Sequence, residues 1–490
     1  MNLWCGSSAA TGYNSTFADG ASQLLLNYMK SPNIDKSIIP MLNSAYERLV
    51  STDPETAWTS GLFMTERSGG SDVSGTETVA VYKSLTSQDR EASPCKDASG
   101  YELGPWEING FKFFSSGTES SMAILLARTQ NGVSAFYAPM RIEAIGPYGE
   151  KTTKLNGVHI QRLKQKLGTR ANTTAELELK GMRAWLLGEE GKGTREVATM
   201  LNVTRLHIGI NALGYWARGL AAARAFTRVR KVARGMNLRD VPLHMAVLAR
   251  EHILYRGAMM LLSFAGALLG KTEEESPTQT SHEPINLIPA HKRNAELLLR
   301  LLVSAVKATS ARAAINGLAH CMEFLGGVGY LENEQMDFNI ARVYRDASVL
   351  GIVDGTTNVL ATDLVNVVTG KAGTDVLNAF QRWVESSLAA VPKLDDEVEE
   401  VRTRWRDLRE EMGQSRDFLM TNAVEVMENI TAVATAVILL TDAGRDGDVV
   451  AVEVARRWLR LSFGAKALLR QPGGAEQLEM NRRIVFGDAM

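Results

Sequence analysis

Residues 64–73 read MTERSGGSDV, placing a Thr-Glu pair, a Gly-Gly hinge and a Ser-Asp pair within ten positions. Gly69 and Gly70 admit dihedrals closed to other residues and let backbone come close to a ligand. Thr65, Ser71 and the N–H groups around them are donors suited to phosphate or to the edge of a heteroaromatic ring. The same composition also describes a polar surface turn. Residues 110–117, GFKFFSSG, bring aromatic and hydroxyl side chains together; the alternative is a core strand with two surface serines. Residues 323–330, EFLGGVGY, follow a long helical pattern. There Gly326, Gly327 and Gly329 either admit a ligand or end the helix in a glycine turn. In residues 342–363, RVYRDASVLGIVDGTTNVLATD, an apolar stretch delivers Asp354 against Gly355, Thr356, Thr357 and Asn358. A carboxylate between apolar residues and a glycine turn suits a general base of raised pKa. An Asp before Gly-Thr-Thr also suits a helix N-cap.

Composition narrows the chemistry. The 490 residues offer two to four domains or subdomains, and 54 Lys and Arg against 55 Asp and Glu leave no whole-chain footprint for nucleic acid. Cys5, Cys95 and Cys321 are odd in number and widely spaced, which argues against a disulfide framework and for a reducing compartment. The seven His form no HExxH, so no metal site is expected. The longest apolar run, residues 430–440, reads as a buried helix too short to span a bilayer. The N-terminus lacks the features of a secretory signal or mitochondrial presequence, and the last residues are no peroxisomal tripeptide. A cytoplasmic location follows as the expectation.

The elements that must position these residues change in kind along the chain. Residues 1–61 look helical and short. Residues 62–185 alternate short apolar runs (TVAVYKSL, MAILLART, SAFYAPMRI, AELELK) with turns, and their period-two pattern and β-branched content predict a small all-β region. From residue 186 to 373, apolar residues recur at three and four, predicting a helical bundle. Residues 271–284, KTEEESPTQTSHEP, read as an exposed inter-helix loop. Residues 374–490 are again helical, with a charged segment, KLDDEVEEVRTRWRDLREE.

The four motifs in this order resemble the acyl-CoA dehydrogenase flavoprotein family, and most of all its AidB-like branch, from about residue 62 to the C-terminus. MTERSGGSD matches the family's Met-Thr-Glu…Gly-Ser-Asp flavin segment. GFKFFSS matches the segment where an aromatic residue and a hydroxyl meet the flavin ring; the match makes Phe114 the aromatic and Ser116 the hydroxyl. KLGTRANTTAELEL, residues 166–179, matches the next β segment, and LGGVGY and YRD match the glycine turn and Arg-Asp pair before the catalytic loop. The resemblance implies a mainly α fold with a β-barrel-like middle domain. It has a helical N-terminal region, a β domain, a four-helix-bundle domain and extra C-terminal helices. It implies FAD, with Met64, Thr65, Gly70, Ser71, Phe114, Ser115, Ser116, Gly326, Gly327, Gly355, Thr356 and Asn358 as cofactor-binding residues. It also implies a homo-oligomer, a dimer or tetramer, because the flavin's adenine end needs a neighbour.

Three departures shape the expected activity. The family's usual loop carries Glu before Gly, and here Asp354 withdraws the carboxylate by about 1.5 Å, one C–C bond. A nitroalkane oxidase is similar in using Asp at this place. The flavin motif starts early, at Met64, so the N-terminal helical region is expected to be reduced, and either the given sequence is short there or the pocket is more open. The family's Arg-x-x-Phe-Gly pattern, whose Arg reaches the FAD phosphates, falls on residues 231–235 with Lys231 and Arg234 as the available cations; Lys lacks the Arg fork. Residues 374–490 hold 15 Lys and Arg against 20 Asp and Glu, which disfavours nucleic acid there, and RTRWRDLR reads as a solvated helix face.

The expectation is an FAD-dependent oxidoreductase in which Asp354 takes a proton from an acidic C–H and hydride passes to the flavin beside Phe114 and Ser116. The substrate is an acyl thioester or another carbon acid. One alternative is an oxidase of the nitroalkane type; another is a flavoprotein without turnover, in a binding or stress-response role. No membrane partner is expected.

Overall fold

The computed structural model describes residues 2–32, 34–92, 94–274, 287–332, 339–464 and 474–487. They form two compact units, residues 8–207 and residues 1–7 with 208–490, and the boundary falls inside the helix Ala198–Val229.

The first unit opens with helices Ala9–Met29 and Ile39–Leu49 and continues into β structure. Its strands are β1 (Ser60–Phe63), β2 (Val79–Tyr82), β3 (Trp106–Ser116), β4 (Met122–Thr129), β5 (Gly132–Pro139), β6 (Arg141–Ile145), β7 (Lys151–Leu155), β8 (Val158–Leu163) and β9 (Thr174–Leu187). The period-two runs read from sequence fall on β2, β4, β5, β6 and β9. The pairings close on themselves: β2 pairs with β3, β3 with β9, β9 with β5, β5 with β4, and β4 with β2. A closed ring leaves few open edges and encloses its inward side chains. Phe63, Ile108, Leu125, Phe136, Leu177 and Met182 fill it, all fully buried. Strand β7 is polar and mostly exposed, and β8 buries Val158 but leaves Ile160 and Leu163 exposed, so neither carries a run of buried apolar residues.

The second unit is helical, as expected for residues 186–373. Helices Ala198–Val229, Pro242–Glu273 and Lys292–Leu325 are joined by Ile340–Ser348 and Thr357–Thr369. Helices Gly373–Ala389, Asp395–Glu411, Ala423–Asp446, Val449–Phe463 and Ala475–Phe486 follow. Pro242 occupies the first position of its helix, where no amide donor is needed. The N-terminal residues belong to this unit: Cys5 is fully buried, and Arg342 donates to the Gly6 carbonyl at 2.6 Å.

Two expectations are modified. Lys271 to Glu273 are helical rather than loop, while residues 275–286 of the expected loop lie outside the described residues. The apolar run at residues 430–440 belongs to the longer helix Ala423–Asp446, which with Pro242–Glu273 is long and apolar enough to cross a membrane. In Ala423–Asp446, 72% of the most apolar stretch is buried inside its own unit, as in a core helix; for Pro242–Glu273 the share is 39%. RTRWRDLR is a half-solvated face: Arg404 and Arg406 point outward, while Trp405 is 1% exposed.

Candidate active site

In the β unit the first two motifs come together. Phe113 donates its amide to the Thr65 carbonyl at 2.9 Å, and Leu62 of β1 pairs with Ser116 of β3. Between them, Glu66 is buried and accepts from the Glu77 amide at 2.6 Å, the Thr78 amide at 3.3 Å and the Lys112 ammonium at 2.6 Å. Lys112 also donates to the Leu126 carbonyl at 2.8 Å. Burial pushes the Glu66 carboxyl up, and the Lys112 charge with the donors around it outweighs this, so the net direction is down. The motif's Glu is therefore a structural anchor. Around it the loop turns tightly: Glu66 and Gly69 exchange two backbone hydrogen bonds, and a Cβ on Gly69 would lie 2.3 Å from the Asp72 carbonyl. This leaves Met64 and Thr65 half-buried and Gly70 and Ser71 exposed on the rim.

A β-bulge decides which side chains of GFKFFSSG face outward. Lys112 pairs with Leu177 and Ser115 with Ala175, so β3 spends three steps where β9 spends two. The extra residue flips the alternation. Lys112 and Ser115 both point inward at 0% exposure, whereas Phe114 is 48% exposed. Ser116 lies at the edge with its Oγ 3.3 Å from Thr174 Oγ1, which also receives the Lys166 ammonium at 3.0 Å. The Ser115 hydroxyl is buried and has no hydrogen-bond partner among the described residues. The sequence reading missed the cations beside this aromatic pair. Lys164 Nζ stands 3.3 Å from the Phe113 ring centre and 4.7 Å from that of Phe114. Lys164, Arg162 and Arg67 all converge on Glu176, and these hydrogen bonds hold its carboxyl down to about 2.

In the helical unit, the helix Lys292–Leu325 ends at Gly326 with φ +62, so the helix-stop reading of this turn holds at that position. A Cβ on Gly326 or Gly327 would meet nothing within 4 Å, whereas one on Gly329 would strike the Met322 carbonyl at 2.3 Å. Gly329 is therefore the packing glycine, and Gly326 and Gly327 leave open space. In the next helix Arg342 pairs with the buried Asp346 at 2.7 Å, and Arg345 pairs with Glu332. The chain then reaches Asp354 at φ +54 and Gly355 at φ +107. The helix that follows takes Thr356 as its N-cap residue, without a side-chain cap, so Asp354 stands two residues ahead of the position that the capping alternative gave it. Asp354 and Gly355 are half-buried, Thr356 and Asn358 exposed. Lys307, deep in the helix Lys292–Leu325 and 1% exposed, donates to the Gly355 carbonyl at 2.6 Å. Sequence reading passed over it; a lone Lys inside LLVSAVKATSARAA was the available signal.

Lys231 and Arg234 lie in a tight exposed turn, closed by Val232 donating to the Met236 carbonyl at 2.8 Å. Arg234 sits at φ +63. Both cations are solvent-facing, and neither takes part in an ion pair recorded among the described residues. No group of three His, Cys, Asp or Glu able to hold a metal occurs among the described residues.

The family models of the acyl-CoA dehydrogenase middle domain and C-terminal domain match residues 61–182 and 191–368, together more than half of the chain. The chain is 32% identical over 369 residues to acyl-CoA dehydrogenase family member 11 of Caenorhabditis elegans, covering 73% of this chain and 52% of that protein. It is 29% identical over 363 residues to the putative acyl-CoA dehydrogenase AidB of Escherichia coli, covering 73% and 57%. The chain thus spans about half the length of these curated relatives. The crystal structure of C. elegans ACDH-11 in complex with C11-CoA superposes with a TM-score of 0.77 at 28% identity, covering 98% of this chain and 76% of that one. On these matches the chain belongs to the acyl-CoA dehydrogenase family, with AidB among its relatives.

Proposed function

We propose that this protein is an FAD-dependent oxidoreductase acting on an acyl thioester, with Asp354 as the base that removes the acidic C–H proton. The observation that carries this reading is the backbone at Asp354. A non-glycine residue in the left-handed region costs free energy, and such strain gathers where function requires it. Here it sets a half-buried carboxylate on a turn anchored from inside the helical unit.

The residues fit the cofactor. In the β unit the half-buried Ser116 and Thr65 and the exposed face of Phe114 offer donors and a flat apolar surface suited to a heteroaromatic ring, whereas Ser115, turned inward by the bulge, does not face it. Met64, Gly70 and Ser71 complete that rim. In the helical unit, Gly326 and Gly327 leave room for close approach, Gly355, Thr356 and Asn358 offer backbone and side-chain donors, and Lys231 and Arg234 are available to phosphate. FAD, when bound, supplies the electron-accepting isoalloxazine ring. Asp354 holds and removes the proton, and Phe114 presents the aromatic face. A homo-oligomer and a reducing, cytoplasmic setting for the three thiols belong to the same reading.

The test is the absorption spectrum of the protein loaded with FAD, followed by anaerobic addition of the C11 acyl-CoA. Bleaching by the wild type and its loss in Asp354→Asn support the reading. A protein that takes up no FAD, or an Asp354→Asn variant that bleaches as fast as the wild type, sinks it. The short Asp side chain favours one second reading, an oxidase acting on a more acidic carbon such as a nitroalkane. Aerobic peroxide release with a nitroalkane, and no bleaching by the acyl-CoA, would replace the first reading by that one. A flavin that bleaches with neither compound points to the non-catalytic role.

A further inference from the structure

Lys307 poses a problem that the proton-abstraction reading does not address. Its side chain is among the largest that are fully buried, within a helical stretch of Leu, Val and Ala. Taking an ammonium out of water costs several kcal/mol unless it is paired and hydrogen-bonded. An apolar residue of the same volume would pack there without that cost. The cation is retained where it reaches the carbonyl of Gly355, at 2.6 Å, in a charge-assisted hydrogen bond.

That carbonyl belongs to the second of two successive positive-φ residues, Asp354 at +54 and Gly355 at +107. Ahead of it the chain is closed by the Ile352 and Val353 amides, which both donate to the Val349 carbonyl at 2.9 Å. The helix Thr357–Thr369 follows with Thr356 as its N-cap residue, without a side-chain cap, and the Leu360 amide donates to the Thr356 carbonyl at 3.0 Å. Gly355 itself is closely packed, because a Cβ there would lie 3.0 Å from Leu360 Cδ2. Relaxing Asp354 to an ordinary right-handed or extended conformation would rotate the adjoining peptide planes and swing the Gly355 carbonyl away from Lys307. The hydrogen bond therefore opposes the relaxation that the left-handed strain favours.

We infer that Lys307 is the positioning residue for Asp354: its buried ammonium bolts the Gly355 carbonyl to the core and so holds the left-handed turn that aims the carboxylate. The inference rests on the reading of Asp354 as the base, and it deepens that reading by one residue 47 positions upstream. A displacement near 1 Å at a reacting group costs on the order of a hundredfold in rate, so a loosened turn shows first in the rate of proton abstraction.

The experiment compares wild type, Lys307→Met, Lys307→Gln and Asp354→Asn, each loaded with FAD. Hydrogen exchange is followed in peptides covering residues 349–360, and anaerobic bleaching by the C11 acyl-CoA over a range of concentrations. The expected result is faster exchange at residues 354–358 in Lys307→Met, with unchanged protection in residues 292–325. The limiting bleaching rate should fall about ten- to hundredfold at unchanged half-saturation. Lys307→Gln, which keeps a donor, should recover part of both, and it decides the matter if Lys307→Met does not fold. Unchanged exchange at residues 354–358 overturns the inference. So does faster exchange with an unchanged bleaching rate, because Lys307 would then be structural only. Asp354→Asn separates the two claims: if it bleaches normally, the base assignment fails, and the exchange result alone decides whether Lys307 holds the turn.

Discussion

Lys112 donates a 2.6 Å hydrogen bond to the Glu66 carboxylate, and both side chains are enclosed by the β unit at 0% and 4% exposure. The pair ties the floor of β3 to the loop that carries Thr65 and Gly70. Removing one partner leaves the other charge buried without compensation, so Lys112→Met should destabilise the fold by about 3–5 kcal/mol. Glu66 has a folded-state pKa below the ordinary 4.5, so its contribution is present above that value and fades as pH falls through the folded value. Denaturant unfolding at pH 7 and pH 4 checks both points: in Lys112→Met the loss should be largest at pH 7. A shift in midpoint of less than a tenth of the wild-type value at pH 7 would contradict the anchor role.

Phe114 presents nearly half of its surface to solvent because the bulge at Lys112 and Ser115 turns it outward. Its removal should cost the apoprotein little. Phe114→Ala is expected to change the apoprotein's Tm by no more than a degree or two while weakening FAD binding by about 0.5–1.5 kcal/mol, the range of an aromatic contact. Fluorescence titration of FAD, beside a melt without it, checks the split. A large fall in Tm with unaltered FAD affinity would make Phe114 a packing residue.

Asp354 pays for its left-handed backbone, and glycine would not. Asp354→Gly should leave the fold as stable as wild type or stabilise it by up to about 1 kcal/mol, while abolishing bleaching by the acyl-CoA. Thermal melts alongside the anaerobic titration test this trade-off. Marked destabilisation would mean that the side chain itself, rather than function, explains the strain.

His252 is buried in the helix Pro242–Glu273, and burial, with Arg224 and Arg256 nearby, pushes its pKa from 6.5 down to about 3. Between those values the unfolded chain binds a proton that the folded chain refuses. Stability therefore falls as pH drops from 6.5 towards 3, and the slope disappears below the folded value. His252→Leu should flatten this part of the profile. Urea midpoints at pH 7, 5.5 and 4.5 read it; a variant with the same acid-side slope as wild type would rule out His252 as its source.

Local pattern made much of the fold legible. Short apolar runs located β2, β4, β5, β6 and β9, with β4 and most of β5 buried on both faces, and three-four spacing located the long helices, whose one-sided burial writes its period into the chain. Strands β7 and β8 left no such mark: β7 is mostly exposed and β8 buries only Val158, so both are held chiefly by pairing with β6 and β9. The site divided in the same way. Glycine at φ +62 after Leu325 and the polar loop from Thr65 to Ser71 could be read as turns from their residues. Thr356 as the N-cap could not, because Asp354 offered the same chemistry two positions earlier.

The amino-acid sequence by itself determined which segments alternate, which coil, and where the flavin-type motifs and the single loop carboxylate fall. Only the tertiary structure decided that Glu66 is an anchor, that Phe114 faces out while Ser115 faces in, and that Lys307 reaches Gly355. Each of these depends on partners tens of residues apart or on one extra residue in a strand. Local propensity is blind to such pairings, since a lysine in an apolar helix or an aromatic strand looks like an exception until its acceptor arrives.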